Sequence, residues 1–207
     1  MTAALATPTA ADPDLRRLWT DAPALTILTV ILILGLIPLY AAMSLDLREF
    51  QGESPWMKPV KFHYALAIYA ISLAFFARYM PEATRKGRPW RWFMGAVVFA
   101  ILAECAWLWG AASLNTASHF NTDHPIFSAI YSLMGAFAVL LTSASLVMGL
   151  SIWRTPATGL PPAVKRAVAL GLIRTFVLTV PAAGYLSTAG GHFVGQPVTG
   201  ATLPVLG

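Results

Sequence analysis

The sequence predicts an all-α integral membrane protein, a helical bundle of about five transmembrane helices with its N-terminus in and its C-terminus out. Three observations carry that expectation. Of the 207 residues, 57% are hydrophobic and only 11% charged, whereas about a quarter of a typical soluble domain is charged. Five stretches, at residues 23–43, 60–80, 92–113, 126–153 and 168–188, are mostly apolar, and each matches the roughly 20 residues a helix needs to cross a bilayer. The basic residues, finally, gather on alternate connections. A soluble chain of this composition would expose large apolar patches, and a disordered one would be far more polar.

The first stretch carries no charge. The second has Lys61 and His63 at its start and Arg78 near its end. The third holds Glu104 in its interior, the fourth is uncharged, and the fifth contains Arg174 and Pro181. Segments rich in Gly, Pro, Asn and Asp separate them, as expected of loops. No internal repeat is visible, and the period-two alternation of a membrane barrel strand is absent. The chain therefore divides into a cytoplasmic N-terminal segment, 1–22, the bundle, 23–188, and an extracytoplasmic tail, 189–207.

Charge sets the orientation. With the N-terminus inside, the inner connections hold Arg16, Arg17, Arg78, Arg85, Lys86, Arg88, Arg91, Arg154, Lys165 and Arg166, and the outer ones only Arg48, Lys58 and Lys61. An excess of Lys and Arg on the cytoplasmic side is the rule for bacterial-type inner (plasma) membrane proteins. This distribution accounts for the net charge of +5 without nucleic acid, which is not expected as a partner. Trp19, Trp90, Trp92 and Trp153 fall at the proposed inner ends and Trp56 at an outer end, as in an aromatic belt. The acidic start, with Asp12, Asp14 and Asp21, and the long first apolar run fit a retained helix better than a cleaved signal peptide. The tail after Gly190-Gly191-His192-Phe193 is apolar; either it packs on the outer surface or the chain is part of a larger protein. The lone Cys105 excludes an internal disulfide and a cysteine-based zinc knuckle.

Ionisable groups inside a membrane are costly and mark functional candidates. Glu104 lies twelve residues after Trp92, about 18 Å along a helix, beside the small residues Ala96, Ala100, Ala103 and Gly110. It should face the bundle interior as a proton acceptor, a metal ligand, a general base or a carboxyl group that only locks helices together. It is the first candidate for a catalytic residue. Arg174 enters the fifth helix by about 12 Å; it can snorkel, pair with Glu104 or bind a ligand.

His63, His119, His124 and His192 all fall on the proposed outer side, and Ser118-His119-Phe120-Asn121-Thr122-Asp123-His124-Pro125 gathers two imidazoles, a carboxylate and an amide. Imidazole and carboxylate suit zinc, copper or iron, so the candidate metal set is His63, Glu104, His119, Asp123, His124 and His192. The spacing matches no standard zinc motif. A hydrogen-bonded loop, with Asn121 and Asp123 satisfying turn backbone, is the competing reading. Lys58 and Lys61, three apart at the start of the second helix with Pro59 in its first turn, could attract an anionic ligand or sit as interfacial anchors beside Trp56; with Asn121 and Arg174 they complete the ligand-binding candidates.

The element Trp56-Met57-Lys58-Pro59-Val60-Lys61-Phe62, with Ser118-His119-Phe120-Asn121 after a helix containing Glu104, resembles an uncharacterised family of bacterial polytopic inner-membrane proteins marked by W-x-K-P-x-K-F and S-H-F-N. The resemblance implies a further helix bearing histidines beyond this C-terminus and no particular activity. Three functions stay open. The favoured one is a polar, outward-facing pocket that binds a metal ion or small polar ligand. A membrane-embedded metal-dependent hydrolase is the second, with Glu104 or Asp123 activating a metal-bound water. The third is a proton- or ion-coupled transporter, against which the absence of a repeat or paired broken helices counts. The lipid bilayer is the certain partner in this reading; a homo-oligomer or larger membrane complex is left open.

Overall fold

A computed structural model describes residues 15–121, 124–156 and 158–188. Five long helices carry the chain: α2 (Pro23–Leu45), α3 (Met57–Phe76), α5 (Arg88–Ser113), α6 (Pro125–Arg154) and α7 (Pro162–Thr188). Two short ones, α1 (Leu15–Asp21) and α4 (Glu82–Lys86), lie at one end, and a 3-10 turn, Ala77–Tyr79, extends α3. Each of the five long elements is long and apolar enough to cross a membrane, and no strand occurs among the described residues. The fold is an all-α membrane bundle, as the composition requires. The segment before residue 15 and the tail after residue 188 lie outside the described residues.

All of the long helices except α2 begin earlier than the apolar runs, because proline supports a first turn, where its missing N–H costs nothing. Pro23, Pro59, Pro89, Pro125 and Pro162 all stand within three residues of a helix start. Apolar side chains then repeat at helical spacing: Leu25, Leu28 and Leu32 on α2, Ala67, Ala70 and Ala74 on α3, Met94, Val97 and Ile101 on α5, and Ala144, Met148 and Ile152 on α6 form one core. The opposite faces are apolar too, with Ile33, Leu34 and Ile37 of α2 and Val177 and Leu178 of α7 exposed. A helix that is apolar all round needs lipid as its outer solvent.

α2 packs chiefly on α3, α5 lies against α2, α3 and α6, and α7 packs mainly along α6. At the end that carries α1 and α4, Asp21 and Arg85 form an ion pair of 2.9 Å, and Glu82 pairs with Lys86 one turn on. Trp90 belongs to the core there, nearly buried against Phe93. It is therefore not a belt residue, in contrast to the exposed Trp19, Trp92 and Trp153. Of the small residues near Glu104, Ala100 is fully buried, whereas nothing lies within 4 Å of a Cβ built on Gly110.

Two helices approach closely at Gly149. A Cβ there would meet the Ala169 carbonyl oxygen at 2.9 Å, Ile173 Cγ1 at 2.9 Å and Leu172 Cβ at 3.0 Å. Backbone cannot yield to a methyl group as a flexible side chain can. We expect Gly149→Leu to lower the midpoint of thermal unfolding in detergent by several degrees, in line with roughly 1–3 kcal/mol for overpacking. Gly135→Ala, at a position open on all sides, should leave the midpoint near the wild-type value.

Candidate functional site

Two loops meet at the far end of the bundle. The first, residues 46–56, turns at Gln51 and Gly52, both at positive φ, with Phe50 and Glu53 exchanging backbone hydrogen bonds of 2.8 and 3.2 Å. This is a two-residue hairpin of the type that requires left-handed backbone at both central positions. The second follows α5, which ends on Asn115 at φ 52°. There the Thr116 N–H donates to the Ala111 carbonyl and the Asn115 N–H to Ala112, at 3.0 and 3.1 Å. That pair of bonds is a Schellman cap, and asparagine tolerates the left-handed turn it needs.

Asp46 ties the loops together. Its carboxylate accepts from Arg48 Nε at 2.8 Å and Nη2 at 2.6 Å, and from Trp56 Nε1 at 2.7 Å. Arg48 Nη1 in turn donates to the Ser113 carbonyl of α5 at 3.1 Å, and Asn115 Nδ2 to the Glu49 carbonyl at 3.4 Å. The hydrogen bonds from Arg48, then Trp56, hold the Asp46 carboxyl well below the usual carboxylate range.

Below this tether lies a narrow crevice of about 160 Å³ lined by Phe62 of α3, Glu104, Trp107 and Leu108 of α5, His119 of the second loop and Met134 of α6. As it stands, it is too tight for a water molecule. Glu104, Trp107 and Leu108 share a face because they are three and four residues apart on a helix. The loop is folded back onto them: Trp107 Nε1 donates to the Ser118 carbonyl at 2.8 Å, and Asn121 Nδ2 donates to Thr116 Oγ1 and the Ala117 carbonyl at 3.1 and 3.2 Å. The His119 ring lies among Phe62, Phe120 and Tyr131, with centroids 5.9, 6.5 and 6.2 Å away, and its Nδ1 is 3.0 Å from Ser118 Oγ. Glu104 is 7% exposed and has no hydrogen-bond or ion-pair partner among the described residues. Half-buried Lys58, one turn before Phe62 on the same flank of α3, likewise has none.

The structure thus brings Glu104 and His119 together at the crevice, which His63, His124, Lys61 and Arg174 do not line. His63 points towards α2 and Trp109: its Nδ1 donates to the Pro59 carbonyl at 2.9 Å, its ring is 5.7 Å from that of Trp109, and a Cβ on Gly35 would come within 3.1 Å of Nε2. The space a metal would need beside Nε2 is filled by α2. His124 is exposed and caps α6, its Nδ1 accepting the Ile126 N–H at 3.3 Å. Lys61 is exposed, 4.0 Å from Glu53. Arg174 is exposed on α7 and makes no ion pair with Glu104, so that pairing is excluded. Asn121 serves the loop backbone, as its competing reading held. Asp123 and His192 lie outside the described residues. Among the described residues no group of three or more His, Cys, Asp or Glu is placed to hold a metal ion, so His63, Glu104, His119 and His124 do not by themselves form the expected cluster.

Phe62, Trp107 and Met134 were not among the sequence candidates. The spacing from Glu104 to Trp107 was readable; Met134 becomes a neighbour only through α5–α6 packing. No family model, curated protein or solved structure matches the chain.

The tether has a testable pH dependence. A carboxylate held low in the folded protein contributes stability above its ordinary range and loses it only as pH falls through the lowered value. Near-ultraviolet circular dichroism should therefore stay constant from neutrality to about pH 4, the usual aspartate range. Asp46→Ala should accelerate tryptic cleavage after Arg48 several-fold at neutral pH.

Proposed function

We propose that this multi-pass membrane protein binds a small amine-bearing polar ligand in the crevice, with Glu104 as counter-ion. The observation that carries the reading is the Glu104 carboxyl group, 7% exposed and without a cation partner among the described residues, in an aromatic-walled cleft. Placing an ionisable group in a membrane without a partner costs free energy that a bound cation recovers. The Phe62 and Trp107 rings that line the crevice favour a positive charge over a neutral group. An ammonium group needs one carboxylate and a π-surface, while a transition metal needs three or four directed ligands. Lys58, nearer the mouth on the Phe62 flank, supplies a cation for an anionic end, so a zwitterion uses both unpartnered charges. Because the closed crevice excludes even water, the ligand enters when the His119 loop lifts. With the ten-to-three division of basic residues, that loop faces the outside of a bacterial-type plasma membrane.

The test uses radiolabelled glycine betaine and choline on detergent-purified protein by scintillation proximity. Saturable binding is expected, with glycine betaine ahead of choline. Glu104→Gln should weaken it more than tenfold, as losing one partner of a buried charge pair costs about 2–5 kcal/mol. His119→Ala should weaken it less. Equal binding by Glu104→Gln would overturn the reading. So would near-stoichiometric zinc, copper or iron, measured by mass spectrometry after removal of any histidine tag, that disappears in His119→Ala.

A further inference from the structure

The opposite end of the bundle carries a second feature, independent of the crevice. A surface groove of about 420 Å³ runs along the first two turns of α5, lined by Arg88, Arg91, Trp92 and Gly95. Arg88 and Arg91 are three residues apart and so stand side by side on the helix. Neither has an acidic partner among the described residues, and the acids described at this end are already engaged, Asp21 by Arg85 and Glu82 by Lys86. Trp92 is 80% exposed and Phe99, one turn beyond Gly95, is 64% exposed. Between them Gly95 leaves bare backbone, with nothing within 4 Å of where its Cβ would stand. The groove therefore grades along one helix face from two guanidinium groups, through an indole, to open apolar surface.

We infer that this groove binds an anionic phospholipid, its phosphate held between Arg88 and Arg91 and an acyl chain lying over Gly95 towards Phe99. Three features select that occupant. Guanidinium groups match phosphate geometry through paired N–H donors. Tryptophan at a helix end marks the headgroup level of the bilayer. The apolar continuation past Gly95 has the direction a lipid tail takes, which a soluble anion would not use and an acidic protein segment would leave uncovered. This is more specific than the general attraction of basic loops to anionic membranes, because one wall of the site is the absence of a side chain.

The experiment is native mass spectrometry of the full chain released from vesicles of equal phosphatidylglycerol and phosphatidylcholine. Retained phosphatidylglycerol is expected on the wild type, falling roughly tenfold or more in Arg88→Gln/Arg91→Gln. Gly95→Leu keeps both charges and fills the groove, and it should lose the lipid as well. Lys86→Gln, a basic neighbour outside the groove, should retain it. Gly95 faces open space, so that variant is expected to fold, and an unchanged thermal midpoint is the control. Equal retention of the two lipids, full retention by the double variant, or full retention by Gly95→Leu would each overturn the proposal. Displacement by millimolar glycerol 3-phosphate alone would overturn it in favour of a soluble anion. None of these outcomes bears on Glu104.

Discussion

A carboxyl group with no partner among the described residues, kept inside an apolar bundle, is the constraint around which this end of the protein is organised. Glu104 is buried within α5, and Arg174, the cation within the fifth span, is exposed on α7 and does not pair with it. The cost of that placement falls on the fold unless something else meets the charge. Packing around it is correspondingly close. Two rings and a methionine cover the approach, and the loop that closes over it is fixed by hydrogen bonds from Trp107 and Asn121.

The tether at Asp46 gives that closure its geometry. Asp46 lies just past α2, yet its partner Arg48 reaches the last turn of α5, so two loops distant in sequence become one cover. The Arg48 bond also satisfies one of the carbonyl groups that any helix leaves open at its C-terminus. Here a cap and an inter-loop strut are the same interaction. The ends of α2, α3 and α5 are thereby fixed to one another in addition to their packing in the bundle core.

The five spans were legible because length and apolarity suffice to identify a helix that crosses a bilayer. That Glu104 faces inward was legible too, from the cost of its placement. Its neighbours were not. His119 reaches it because Asn115 turns the chain into a left-handed cap and Asn121 folds the loop back, and neither event leaves a periodic trace. The error over His63 has a similar origin. Membrane depth was readable, but the direction of the ring depends on Gly35 of another helix allowing it to press against α2. Likewise Trp90 and Trp92 look alike in sequence, and only packing tells the core ring from the boundary one.

The attachment of α7 mainly to α6 has a consequence for biosynthesis. Every side chain that lines the crevice comes from α3, α5, α6 or the loop between the last two. Helices that leave the ribosome first can associate first. The crevice lining thus precedes α7 in the chain, and α7 reaches that wall from outside, where Tyr131, packed on His119, donates to Ser187 at 2.9 Å. Its seat is prepared in advance by Gly149, whose missing side chain leaves room for the Ala169 backbone.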